Sequence, residues 1–511
     1  MIKMEKIMIG EGKLTMEELV AVARKGCPVE ISEAAIAKIA KSRETVERCV
    51  SEGRVVYGIT TGFGKFSDVH ISEEDTFALQ ENLVMSHSCG VGDPMPEEVV
   101  RAMMLLRVNA LSVGNSGVRL LTLNTLVDML NKGVIPVVPK KGSLGASGDL
   151  VPLAHMSLTL LGMGEAFYQG ERMPSAEALK KAGINPIRLT AKEGLALTNG
   201  TQAMCAFGSL AVEDARLLMK TSDVIAALTM EGLTGIIDAM DERVHAVRQQ
   251  PGQMACAANL RQLLAGSKCV TKQGEKRVQD AYALRCIPQV HGPCRDSIEY
   301  VTGIITREIN AVTDNPLIFP ETDDAISGGN FHGEYMSMAL DFLGIAAAEL
   351  ADISERRIER MVNPKLNDLP AFLTPDGGLN SGFMIPQYTA AALVSENKVL
   401  AHPACVDSIP SSANQEDHVS MGMTAARKAR EIIFNTLNVL AIELLCAAQA
   451  MEFGNKEGMA PATRAVYDEV RKVVAPLEKD RILYTEINKC AELIKSGVIL
   501  KVAEEAAGKI K

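Results

Sequence analysis

The segment Gly142-Ser143-Leu144-Gly145-Ala146-Ser147-Gly148-Asp149-Leu150-Val151-Pro152-Leu153-Ala154-His155 can build a reactive group out of its own backbone. Ala146 and Gly148 carry minimal side chains, so a tight fold can bring the Gly148 nitrogen onto the Ala146 carbonyl. Cyclisation with loss of water, including the Ser147 hydroxyl, would give a 4-methylideneimidazol-5-one ring with an electron-poor exocyclic carbon. From Asp149 on the run reads as a helix start: Asp149 or Ser147 can cap, Pro152 is tolerable in the first turn, and apolar residues follow at helical spacing. The tripeptide then lies at the positive end of a helix dipole, where donors favour negative charge. A lone Ala-Ser-Gly is more often an ordinary capped loop, so the reading depends on what else the chain contains.

Several other runs carry chemistry-bearing residues. Tyr57-Gly58-Ile59-Thr60-Thr61-Gly62-Phe63-Gly64 is a Gly-rich loop without the Lys-Ser/Thr ending of a phosphate loop, and read alone Tyr57 is a packing residue. Asn199-Gly200 is a turn signal. Gln279, Tyr282 and Arg285 recur at three-residue spacing and can share a helical face, which without context is a solvated stripe. Thr313-Asp314-Asn315-Pro316 reads as a turn, and the run from Gly328 through Asn330-Phe331-His332 to Gly333 as a loop.

Taken together, these runs resemble the motifs of the aromatic amino acid ammonia-lyase family, in the family's order, roughly from Val56 to Met451. The stretch GSLGASGDLVPLAH is similar to the family's cofactor-forming signature. The resemblance implies that Ala146, Ser147 and Gly148 form the ring autocatalytically and that Tyr57 removes the β-proton of the substrate. An ordinary phenol titrates near about 10, so this base would need positive charge or donors nearby. It further implies that Asn199 holds the ring's carbonyl oxygen, that Arg285 clamps the substrate carboxylate, and that Tyr282 and Gln279 surround ring and substrate. Asn315 is implied to support both, and Phe331 to pack at the site; His332 is left between a structural and a site role. Departures from the pattern are Ala281, where relatives commonly have Pro, and Ile287 and His291, where others often have Gln and Met. They put the pocket wall in doubt.

Two runs bear on the substrate. In Leu83-Val84-Met85-Ser86-His87, the Ser-His pair stands where phenylalanine-selective members tend to show an apolar pair, and tyrosine-selective members tend to place His one residue earlier. A buried imidazole needs its nitrogens paired, since an unpaired polar group costs about 1–3 kcal/mol, and His87 can serve. Glu416 stands where the aromatic branch usually has Gln, and a carboxylate can accept an imidazole N–H. Met384, in Leu379-Asn380-Ser381-Gly382-Phe383-Met384-Ile385, also matches the histidine branch. The expectation is elimination of ammonia from L-histidine to give trans-urocanate. The rivals are a tyrosine or phenylalanine ammonia-lyase or an aminomutase with the same ring, and, outside these, an inactive helical scaffold or a metal hydrolase. A scaffold would be expected to have lost Ser147, Tyr57 or Arg285. Metal chemistry lacks H-E-x-x-H or other ligand spacing, and consecutive Glu416-Asp417-His418 cannot converge from a regular helix.

The elements that must hold these residues are mainly helical. The chain has 511 residues, 47% hydrophobic, with only 4% aromatic residues and no Trp, which favours helix-on-helix packing. Helical patterns are expected over 15–25, 32–52 and 97–132, and longer ones over 340–362 and 425–453, the last apolar on most sides and so buried in a bundle or between subunits. The expected architecture is a mainly α long-helix bundle with an irregular N-terminal part, as in the ammonia-lyase and fumarase-like superfamily. Residues 1–200 would carry the electrophile-forming loop; residues 201–511 would form the central bundle and C-terminal helices. The resemblance implies a homotetramer with active sites shared between subunits.

A net charge of −10 argues against nucleic acid, and basic pairs such as Lys140-Lys141 and Arg356-Arg357 read as solvated surface. No run reaches the roughly 18–20 apolar residues of a membrane span, and the N-terminal stretch lacks the long apolar run of a signal peptide. Eleven scattered cysteines without metal spacing suggest reduced thiols and a cytoplasmic location.

Overall fold

Local signals decide where the first helices begin and end. In the computed structural model, Thr15 and Glu18 form a reciprocal capping box at the start of the helix Met16–Lys25, and Gly26 closes it in the left-handed region. Ser32 caps Glu33–Ser51 from one side only, its side chain accepting from Ala35 N–H. The structure describes residues 6–62, 64, 71 and 75–511. Phe63 of the Gly-rich loop and the first five residues of the N-terminal stretch lie outside them.

The pattern read as one segment over 97–132 is two helices, Glu97–Ser112 and Leu120–Lys132. The break falls at Gly114 and Gly117, both at positive φ; a Cβ on Gly117 would sit 2.2 Å from Val46 Cγ2, so the backbone must pass bare at that point. The expected long helices are present and begin slightly earlier, as Glu334–Val362 and Gly422–Ala450, joined by Gln202–Gly232 and Ile287–Glu308.

Two compact units organise these elements. One comprises Met1–Leu210, Thr302–Asp341 and Pro403–Arg427; the other comprises Ala211–Val301, Phe342–His402 and Lys428–Lys511. The first carries the four small sheets found among the described residues, each of two or three short strands. The one described helix long and apolar enough to cross a membrane is Gly422–Ala450, and 78% of its most apolar stretch is buried, as in a core helix.

In the second unit a buried ion pair ties three helices. Arg357 donates through Nε and Nη2 to Glu443 at 2.5 and 2.8 Å, and Thr229 and Ser354 hydroxyls donate to the same carboxylate. Arg357 and Glu443 are both fully buried. The reading of Arg356-Arg357 as surface is therefore wrong for Arg357. Acidic neighbours in sequence did not indicate that the charge is compensated from a distant helix. Removing one partner of such a pair typically costs about 3–5 kcal/mol.

Candidate active site

The segment 142–148 is held by close backbone approach on two sides. Leu144 C=O accepts from Met421 N–H at 3.2 Å, and a Cβ on Gly145 would meet Ser420 Oγ at 2.4 Å. On the other side Gly200 N–H donates to Ser147 C=O at 3.3 Å, and Gly200 C=O accepts from Asp149 N–H at 2.7 Å. Ser147 sits at φ +49, a left-handed conformation that non-glycine residues adopt only at a cost. Gly148 is at φ +80, and a Cβ there would lie 2.1 Å from Gly200 O and 2.9 Å from Phe331 O. Only a glycine fits, and the chain is folded tightly across Ala146-Ser147-Gly148, with Gly148 N–H reaching Gly145 C=O at 3.4 Å. These residues fit the cyclised group that the tripeptide can form.

The helix that follows is Leu150–Leu158, with Asp149 at its cap position, but the Asp149 side chain makes no cap bond to it. Instead the fully buried carboxylate accepts from Met204 N–H at 2.8 Å, in the first turn of Gln202–Gly232, and from Ser143 Oγ at 3.2 Å. Asp149 thus caps a different helix from the one expected. Burial pushes its carboxyl up to about 7 against the pull of these donors and of Arg107.

A cavity of about 860 Å³ opens beside Ser147 and lies within the first unit. Tyr57, His87, Ser147, Asn199 and Glu416 all line it, joined by Asn82, Ser86, Ser412 and Ala413. Ser147 Oγ donates to Glu416 Oε1 at 3.2 Å, and Ser411 Oγ to Glu416 Oε2 at 3.1 Å. Glu416 is fixed by a tight loop in which Ser411 and Glu416 exchange backbone hydrogen bonds across three left-handed residues, Ser412, Ala413 and Asn414. Tyr57 Oη accepts from Gly64 N–H at 3.2 Å. Burial holds the Tyr57 phenol above its ordinary value and the Glu416 charge adds to this, while the Gly64 donor opposes it. His87, whose Nδ1 lies 3.0 Å from Ser86 Oγ, is pushed below its ordinary value by burial and is neutral at neutral pH.

Asn199 donates through Nδ2 to Asn315 C=O at 3.0 Å. Asn315 spends its own Oδ1 on Ser327 Oγ and Gly328 N–H, so it supports the loop before Phe331. The Phe331 carbonyl abuts Gly148, as the glycine geometry above requires. His332 stacks on His418, ring centroids 5.5 Å apart, which favours the structural reading.

Gln279, Tyr282, Arg285 and Met384 do not join this cavity; they belong to the second unit. Nor do the first three share a helical face. Only Tyr282–Arg285 forms a turn of helix, while Gln279 lies in irregular chain before it. The Asp280 carboxylate accounts for this: it takes Ile236 N–H and Arg277 Nε, both at 2.5 Å, and holds the chain out of a helix. Gln279 lines a separate cavity of about 580 Å³ in the second unit. Tyr282 is 70% exposed, and the Arg285 guanidinium stacks 4.4 Å from its ring centroid. Met384 is half-buried at the start of Met384–Leu400.

His291 and Ile287, the doubtful wall positions, are fully buried in the second unit. His291 Nδ1 pairs with Asp223 Oδ1 at 2.7 Å. Asp223, Cys256 and His291 converge closely enough to hold a metal ion. However, Asp223 also accepts from Cys256 Sγ, Asn259 Nδ2 and Arg295 Nη2, so its carboxylate is already satisfied and compensated by the Arg295 cation. Among the described residues no other group has metal-ligand convergence.

The residues missed from sequence are Arg107, Lys192 and Asp314, all buried in the first unit. A signal existed for Arg107: it is the one charged residue in the buried helical run from Ala102 to Leu111.

The sequence model of a family described as "Aromatic amino acid lyase" matches residues 14–472. The chain is 61% identical over 503 residues to a histidine ammonia-lyase of Alkaliphilus oremlandii, covering 98% of this chain and 99% of that protein. It is 60% identical over 508 residues to one of Symbiobacterium thermophilum, covering 99% and 100%. Among solved structures, a histidine ammonia-lyase from Trypanosoma cruzi superposes with a TM-score of 0.92 at 43% identity, covering 98% of this chain and 96% of that one. A tyrosine aminomutase from Streptomyces globisporus superposes at 0.94 with 37% identity, covering 99% and 100%.

Proposed function

The chain belongs to the aromatic amino acid lyase family, and on that premise we propose that it eliminates ammonia from L-histidine, giving trans-urocanate. It is an ammonia-lyase, and relatives at about 60% identity along nearly the whole chain carry the histidine name. The observation that carries the reading is one cavity in which Ser147 Oγ meets Glu416 Oε1 at 3.2 Å with Tyr57 and His87 in its wall.

The residues of this chain take the following parts. Ala146, Ser147 and Gly148 become the 4-methylideneimidazol-5-one group, supported by the glycine-only cradle at Gly148. That group supplies an electron-poor carbon that draws charge from the substrate. Asn199 holds the ring's carbonyl oxygen, Asn315 supports ring and substrate, and Phe331 packs at the site. Tyr57 Oη accepts the β-proton as the C–N bond breaks, so the reaction is a redox-neutral elimination. His87, neutral in its buried setting, and Glu416 read the imidazole. Arg285 clamps the carboxylate with its planar guanidinium, with Tyr282, Gln279 and Met384 around the substrate.

The last four residues lie outside the cavity of the first unit and Tyr282 is largely exposed. This supports a homotetramer in which one subunit completes another's site. An exposed apolar stripe on Met384–Leu400, formed by Ile385, Tyr388 and Val399, supports burial between copies. Eleven scattered cysteines without metal-ligand spacing support a cytoplasmic location.

The test of the substrate assignment is Glu416→Gln. Gln cannot carry the charge or take up a proton, so kcat/KM for histidine should fall by roughly 10²–10³ while assembly on a sizing column is unchanged. Histidine kinetics equal to the parent would remove Glu416 from the reaction and reopen the tyrosine and phenylalanine reading.

A further inference from the structure

Arg107 is among the largest fully buried side chains of the protein, yet it lines no cavity named above. Its Nη1 donates to the Asn199 carbonyl, and a Cβ on Gly200 would lie 2.8 Å from that same nitrogen. Its Nε and Nη2 have no hydrogen-bond partner among the described residues. Leaving such donors buried costs about 1–3 kcal/mol each, more for a charged group. Asp149 and Asp314 are the carboxylates that act on it, and Lys192 already occupies Asp314 at 2.7 Å. Burial lowers the guanidinium only to about 10, so it keeps its charge at neutral pH. A costly, partly unsatisfied cation is thus aimed at one peptide.

We propose that Arg107 is a positioning residue for formation of the electrophile: it clamps the Asn199–Gly200 peptide, which in turn holds Ser147 and Asp149. Gly200 N–H grips Ser147 C=O and Gly200 C=O grips Asp149 N–H, so the backbone is pinned on both sides of Gly148, whose nitrogen must close the ring. This inference rests on the ring reading above. In the step it serves, the Gly148 nitrogen bonds to the Ala146 carbonyl carbon, and the carbonyl oxygen departs as water with the protons of Gly148 N–H and Ser147 N–H. A second water then takes the Ser147 Cα proton and its hydroxyl. No oxidant or reductant is needed. A nitrogen displaced by about an ångström loses most of the advantage of enforced proximity.

The experiment is mass spectrometry of the peptide containing residues 146–148, from purified parent, Arg107→Lys and Arg107→Met proteins. Folding is followed by circular dichroism and sizing. The parent peptide should be lighter than its sequence by two water molecules. In folded Arg107→Met the fraction carrying that deficit should fall roughly tenfold, with Arg107→Lys intermediate. Turnover per chain should fall in proportion to the deficit-bearing fraction, with KM for histidine unchanged. A folded Arg107→Met with the full deficit overturns the inference. If Arg107→Met does not fold, a folded Arg107→Lys with the full deficit overturns it. A parent peptide without the deficit overturns the ring reading instead, so the two failures are distinguishable.

Discussion

Ser147→Ala protein is expected to fold and assemble normally and to deaminate L-histidine at least about four orders of magnitude more slowly than the parent. The structural loss is small. Among the described residues Ser147 Oγ makes a single hydrogen bond, to Glu416, and the left-handed backbone at φ +49 is no harder for Ala than for Ser. The chemical loss is complete, because without the hydroxyl there is no second water to expel and no exocyclic double bond. Steady-state urocanate formation together with a thermal melt checks both halves. Turnover near the parental rate in a correctly folded variant would remove Ser147 from the chemistry.

Tyr57→Phe is expected to lower kcat by roughly 10²–10⁴ with little change in KM. The ring of Tyr57 keeps its half-buried packing, and the Gly64 N–H loses its acceptor, at a cost of about 1 kcal/mol. The pH dependence follows from the direction of its shift. Burial raises the Tyr57 phenol above its ordinary value, so the neutral phenol dominates at neutral pH and the phenolate grows as pH rises. Parental activity should therefore climb towards alkaline pH, and Tyr57→Phe should flatten that limb. A guanidinium such as Arg285, supplied by a second copy, would shift the limb to lower pH. A rate–pH series on both proteins separates these, and an unchanged alkaline limb in Tyr57→Phe would assign the base elsewhere.

What was legible in the sequence was what backbone geometry and short spacing enforce. Ala146-Ser147-Gly148 stood out because two minimal residues flank a serine at a helix start, and the fold places that tripeptide where a Cβ on Gly148 cannot fit. The helical patterns over 15–25 and 32–52 were legible too, and the fold caps those helices with Thr15 and Ser32. Charge placement was far less legible. Arg357 and Glu443 are 86 residues apart and neutralise each other inside the bundle, so local acidic context gave the wrong answer for Arg357. Asp149 is adjacent to one helix but serves another. Gln279 and Arg285 lay at helical spacing, yet Asp280 bonds to Ile236 and Arg277 and keeps Gln279 out of the short helix that holds Arg285. Arg107 was visible only as the one charge in a buried helical run, and its purpose depends on a peptide 92 residues away. Spacing reports neighbours along the chain; compensation of buried charge is settled by distant ones.

The most direct test of the central claim is ultraviolet absorbance of the purified protein with L-histidine, L-tyrosine and L-phenylalanine in separate cuvettes. Urocanate forming with histidine, and no cinnamate or coumarate with the other two, is the predicted result. Cinnamate or coumarate in place of urocanate would contradict the assignment of His87 and Glu416 to the imidazole, and no product from any of the three would contradict the ammonia-lyase reading itself.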